Sequence, residues 1–137
     1  MLKTHHSLAL FFLLTISNVS LGISALTQHT LSVSQSMSAF YMYSLTDGDT
    51  QYKDDYQRYL VEAEQHLQAF QKQDSVSAFE LKNQWDKFRA HLQFEYVEGA
   101  GFIIPVSLRM QYRAYLNTLY GKIVALSNSE TNLTEHV

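Results

Sequence analysis

The chain of 137 residues contains no cysteine. That absence excludes disulfides, thiol nucleophiles, Cys-based zinc sites, a covalently attached c-type haem and a lipid anchor on Cys, so the fold must stand on packing alone. A nucleic-acid footprint is missing as well. Ten basic residues against thirteen acidic ones give a net charge of −3. The basic residues are interleaved with acids, as in Lys53-Asp54-Asp55 and from Lys82 to Arg89, which is how a solvated helix face reads. With no basic stripe to follow a phosphate backbone, no nucleic-acid partner is expected. Proline occurs once, at Pro105, and neither an internal repeat nor a low-complexity linker divides the chain.

Catalytic signatures are also absent. Asp54-Asp55, and likewise Glu62 and Glu64, are too close in sequence to point the same way on a helix and clamp one substrate atom. No Glu-x-x-His pattern appears, so a di-iron bundle lacks its hallmark. Gly99-Ala100-Gly101 is too short for a phosphate loop and lacks its lysine, and there is no nucleophile elbow. The chain is therefore expected to be no enzyme and to carry no cofactor or metal.

One long apolar run is present, at the N-terminus. Lys3 precedes an uncharged stretch from Ser7 to His29 with an apolar core from Leu8 to Ile16, and Ile23-Ser24-Ala25 offers small residues for cleavage after Ala25, with Gly22 a second choice. This reads as an export signal, which places the mature protein in the periplasm or outside the cell. The alternative is an uncleaved single-pass anchor, since roughly twenty apolar residues span a bilayer. Ser17, Asn18, Ser20 and Ser24 weaken that alternative, because each polar group in hydrocarbon wants a partner. The expected organisation is a signal or anchor helix over 1–25, one folded domain over 26–128 and a disordered tail over 129–137.

Within the domain, turn signals separate four segments. Tyr52, Tyr56, Tyr59, Ala63, Leu67 and Phe70 recur at spacings of three and four, predicting an amphipathic helix that starts after Asp47-Gly48-Asp49-Thr50 and ends near Gln73-Asp74. Ser77-Ala78-Phe79-Glu80 reads as a capping box for a helix carrying Leu81, Trp85, Phe88 and Leu92 and stopping near Glu98-Gly99. Pro105 fits the entry to a last helix with Leu108, Tyr112, Tyr115 or Leu116, Leu119, Ile123 and Leu126 on one stripe. Leu26 to Leu45 is ambiguous. Leu31, Val33, Met37, Ala39, Tyr41 and Tyr43 alternate with serines as a strand would, yet only Phe102-Ile103-Ile104 is available to pair with it. Since an isolated ribbon is marginal in water, and three long helices need a fourth to cover their stripes, helix is favoured. Short connections then predict an all-α, antiparallel up-down four-helix bundle.

Candidate binding residues are few. His66 and His91 sit beside apolar stripes, where a bundle could bring two imidazoles together as metal or haem ligands, and Met37 or Met42 with a histidine could ligate b-type haem as in soluble bundle cytochromes; locally bonded boundary histidines and gap-filling core methionines are the favoured account. The aromatic load, nine Tyr, eight Phe and one Trp, is more informative. Tyr52, Tyr56 and Tyr59 share one stripe, Tyr112 and Tyr115 lie on another helix, and tyrosine suits partner interfaces and small-ligand pockets. Phe102, Ile103 and Ile104 place three bulky apolar residues in a loop, where they must cap the bundle or meet a partner.

Two functional expectations follow. The first is a non-enzymatic interaction module of an envelope assembly, contacting another envelope protein or a second copy of itself, and touching the membrane only through an uncleaved N-terminal segment. The second is a small-ligand binder: an N-terminal apolar helix leading into four helices resembles the extracytoplasmic bundle of bacterial chemoreceptors in architecture, although no signalling region is recognisable after Leu126.

Overall fold

The computed structural model describes residues 2–135, with side chains from Val19 to Ser129. The apolar core of the expected export signal, Leu8–Ile16, and the expected tail beyond Ser129 lie outside the residues whose side chains are described. The chain is mostly helical: α1 covers Leu2–Leu45, α2 Thr50–Gln73, α3 Ser75–Ala90 and α4 Val106–Glu135, with strands β1 at Glu95–Val97 and β2 at Gly101–Ile103 between α3 and α4. No helix among the described residues is long and apolar enough to cross a membrane.

The ambiguous segment is helical, and its serines explain the ambiguity. Leu26, Val33, Met37 and Phe40 are buried, but so are Thr30, Ser32 and Ser36. Hydroxyls tolerate burial in a helix when they bond back to their own backbone. Thr30 Oγ1 donates to the Leu26 carbonyl at 2.8 Å and Ser36 Oγ to the Val33 carbonyl at 2.7 Å. Small side chains on this face let α2 lie close along α1, which it does in the reverse direction: Gly22 sits beside Phe70 and Gln73, His29 beside Ala63 and Phe40 beside Tyr56.

The turn between α1 and α2 follows the sequence reading. Asp47 and Gly48 adopt left-handed backbone, with φ of 56° and 93°, and Asp49 caps α2 by accepting the Gln51 amide at 3.0 Å. A single residue, Asp74, separates α2 from α3. Its own amide closes α2 on the Phe70 carbonyl at 2.9 Å, and its Oδ1 accepts the Ser77 amide at 3.1 Å. The expected capping box at Ser77 and Glu80 is thereby displaced, since Asp74 already occupies the amide that begins α3 and Ser77 lies buried inside the first turn. Asp74→Ala is expected to cost about 1 kcal/mol, read as a lower urea midpoint with an unchanged slope.

α3 stops at Ala90, well before the expected Glu98-Gly99. The reason lies in Phe94, whose ring stacks on Phe40 of α1 with centroids 3.8 Å apart and planes 9° from parallel. To reach that position the chain leaves the helix, and residues 95–103 form an antiparallel hairpin with Tyr96 opposite Phe102 and Val97 opposite Gly101. The ribbon is not isolated. Phe102 packs against Tyr43 and Phe94, and its carbonyl accepts Ser44 Oγ at 2.6 Å. Gly101 is required at its place, because φ is +79° and an added Cβ would lie 2.7 Å from Asp47 Oδ1.

α4 begins directly after Pro105, whose carbonyl accepts the Leu108 amide at 3.1 Å. Leu108, Tyr115 and Leu119 are buried, flanked by half-buried Tyr112, Leu116, Ile123 and Leu126. This face packs on α1 and α3 and completes one core that includes Ala78, Leu81, Trp85 and Phe88.

Candidate functional site

The four helices converge on His29. It lies on the buried stripe of α1, three residues after Leu26 and four before Val33, and is fully buried. Its Nδ1 is 2.6 Å from the Ala63 carbonyl on α2 and its Nε2 is 2.6 Å from the Tyr115 hydroxyl on α4. A carbonyl can only accept, so Nδ1 carries the proton and donates. Nε2 then accepts from the Tyr115 O–H. Trp85 of α3 presents its ring nearly edge-on to the imidazole, with centroids 5.0 Å apart and an interplanar angle of 76°. The Trp85 indole N–H donates to Glu64 Oε2 on α2. Arg89, 3.5 Å from the same oxygen, sets its guanidinium 5.6 Å from the Trp85 ring centre.

Electrostatics keep the layer neutral at its heart. Burial pushes His29 down from 6.5 to about 4, opposed by the Ala63 carbonyl and the Glu64 carboxylate and reinforced by His66. Burial also raises the Tyr115 phenol, helped by the Glu64 and Asp86 carboxylates. Every buried side-chain nitrogen and oxygen among the described residues has a hydrogen-bond partner. With both ring nitrogens engaged and no exposed surface, His29 has no lone pair left for a substrate or a metal. Its chemistry here is specification: a single register of the four helices satisfies Ala63, His29 and Tyr115 together.

A second cluster closes the other end. Phe40, Tyr43, Tyr56, Phe94 and Phe102 interlock, with Tyr96 edge-on to Phe102 at 5.4 Å. Burial and the neighbouring Tyr43 raise the Tyr56 phenol.

The residues singled out from the sequence are thus distributed among several surroundings. Tyr115 belongs to the His29 layer, and Tyr112 is half-buried beside Phe88 with its hydroxyl 3.4 Å from Ser34 Oγ. Tyr56 and Phe102 lie in the aromatic cluster. Tyr52 and Tyr59 line an open groove of about 430 Å³ between α1 and α2, with Leu31, Met42 and Asp55. Ile104 is buried and Ile103 exposed, so the 102–104 loop covers the end of the helices and leaves one side chain outside. His91 Nδ1 bonds the Lys87 carbonyl at the end of its own helix, and Met37 is a core residue. No group of three or more metal-capable side chains occurs among the described residues.

Sequence reasoning missed His29, Glu64 and Arg89. His29 ended the uncharged run and was legible only as its boundary, although its spacing from Leu26 and Val33 already places it on the inner face. Comparison with family models, with curated proteins and with solved structures gave no match.

Proposed function

We propose that this chain is a non-enzymatic interaction module, an accessory subunit of an envelope assembly, exported by residues 1–25 to the periplasm or beyond and built as an up-down-up-down four-helix bundle. If the N-terminal segment is not removed, it tethers the same module to the membrane. The antiparallel order draws support from the pairing of α1 with α2, of α1 with α4 through His29 and Tyr115, and of α3 with α4 through Phe88–Tyr112 and Trp85–Tyr115.

One observation carries the interaction reading: among the described residues every buried polar side-chain atom already has a partner, while bulky apolar side chains stand outside the core. Val76 and Phe79 on α3, and Val106, Met110, Tyr120 and Val124 on α4, are exposed. Clusters of this kind on a soluble module mark surfaces that meet a partner. A small-ligand or sensor-like bundle would instead favour a cavity with Tyr and His groups free to bind, whereas both ring nitrogens of His29 and the Tyr115 hydroxyl are already engaged with each other and with Ala63. The groove at Tyr52 and Tyr59 keeps the ligand reading alive as the second choice.

Capture of the full chain from cross-linked envelopes tests the proposal. The expected result is stoichiometric recovery of a protein partner, another envelope protein or a second copy. Recovery of none, with a metabolite screen raising the melting temperature, would favour the ligand reading. Mass spectrometry of the same material reads the N-terminus: Leu26 or Ile23 as first residue means cleavage, and Met1 means a retained tether.

A further inference from the structure

We propose that the outer face of α4 pairs with the same face of a second copy of this chain, the two helices running antiparallel about a two-fold axis beside Ala114. This deepens the interaction reading and rests on it.

The starting observation is a second stripe on α4, opposite the buried one. Val106, Met110, Arg113, Asn117, Tyr120 and Val124 step by four, three, four, three and four, the spacing of paired helices, and all six are exposed. Their apolar members are well outside the core: Val106 is 61%, Met110 67%, Tyr120 54% and Val124 58% exposed. A helix with one core to fill needs one stripe. Among the described residues nothing covers the second.

The order of side chains says what fits it. From either end the stripe reads apolar, apolar, polar, polar, apolar, apolar. Laid antiparallel on itself, it sets Val106 against Val124, Met110 against Tyr120, and Arg113 against Asn117. Arg113 is the only charge in the stripe, and in this register the Asn117 carbonyl accepts from its guanidinium at two symmetric places. A parallel pairing would set Arg113 on Arg113, which like-charge repulsion disfavours. A self-complementary patch of this kind is what a two-fold interface requires, since each surface must be its own partner.

Gly121 supplies an independent observation. It lies inside α4, and a Cβ added there would meet nothing within 4 Å. Glycine within a helix lowers stability relative to alanine, and no turn and no contact with a described residue calls for it here. A second backbone passing close by does. Ser107, Ala114 and Gly121 recur every seven residues along one edge of the stripe and are all exposed. In the antiparallel register Ala114 meets its own mate and Ser107 meets Gly121, so the small side chains fall opposite one another and let the helices approach. The stripe runs roughly 27 Å at about 1.5 Å per residue, and its helix is already held by the core, so pairing carries no cost of helix formation.

The lack of native cysteine makes the test clean. Single-cysteine variants of the full chain, kept in mild detergent, are oxidised or treated with a short bis-maleimide. Ala114→Cys is expected to give a covalent homodimer. Met110→Cys and Tyr120→Cys are each expected to stay monomeric alone, because a residue five places from the axis lies about 15 Å from its mate along the helix, and to cross-link when mixed. Val61→Cys, exposed on α2, serves as the unpaired control. Adding Tyr120→Lys to Ala114→Cys should cut cross-linking at least tenfold with the melting temperature unchanged, which separates loss of pairing from loss of fold.

Self-linking of Met110→Cys and Tyr120→Cys without the mixed product would mean a parallel pair and overturn the proposal. Monomer throughout would overturn it too, whether the face is free, lies on lipid, or binds a different protein. That last case leaves the interaction reading intact, because envelope capture would still recover the other protein.

Discussion

Trp85→Ala is expected to destabilise the protein by about 3–5 kcal/mol, the range for removing a large aromatic side chain from a packed core. Trp85 is fully buried and its ring faces His29, Phe88 and Tyr115 with centroids 5.0, 5.9 and 6.0 Å away. Truncation opens space beside three helices at once and takes the indole N–H from Glu64. A domain of this size is stable by only about 5–15 kcal/mol, so the loss is a large fraction of the whole. Trp85→Phe keeps most of the apolar volume and removes the donor, and should cost about 1–3 kcal/mol. Urea unfolding followed by far-ultraviolet circular dichroism reads both, since the chain's single tryptophan is lost as a fluorophore.

The second large effect is on acid stability. His29 titrates near 4 in the folded protein against 6.5 when unfolded, so between these values the unfolded chain takes up a proton that the folded one refuses. Stability is then full above pH 6.5, falls as the pH drops toward 4, and stops falling on this account below that. The loss over that window is about 3 kcal/mol at 1.36 kcal/mol per pK unit. His29→Leu removes the titration and should flatten the stability profile between pH 6.5 and 4, at the expense of stability at neutral pH, where the Ala63 carbonyl and the Tyr115 hydroxyl lose their shared partner. A wild-type profile as flat as the variant's would contradict the assignment.

How far these features were legible in the sequence depended on which residue types were buried. α2 reads cleanly because its inner face is Ala63, Leu67 and Phe70 and its outer face is charged, and Asp49 caps it as the sequence implies. The stripe of α4 reads for the same reason. In α1 the inner face includes Thr30, Ser32, Ser36 and His29. A pattern of apolar and polar residues counts these as solvent-facing, so serine alternation imitates a strand. The back-bonded hydroxyls and the His29 bridge that make the burial possible are tertiary facts. The hairpin was hidden differently. Nothing local stops α3 at Ala90; the stop comes from Phe94 stacking on Phe40, more than fifty residues away in sequence. Phe102 and Ile104 were legible as a capping loop, but the strand that Glu95–Val97 adds to it was not, because three exposed residues carry no burial pattern. The outer stripe of α4 was open to inspection throughout, and only the exposure of its apolar residues distinguishes it from core.

The most direct test of the central claim, that four helices meet at one neutral histidine, is nitrogen-15 magnetic resonance of the His29 ring through a pH titration. The account predicts an imidazole protonated on Nδ1 and unprotonated on Nε2 at pH 7, slow to exchange, and charging only near pH 4. A ring carrying its proton on Nε2, or one that titrates freely near 6.5, would contradict it.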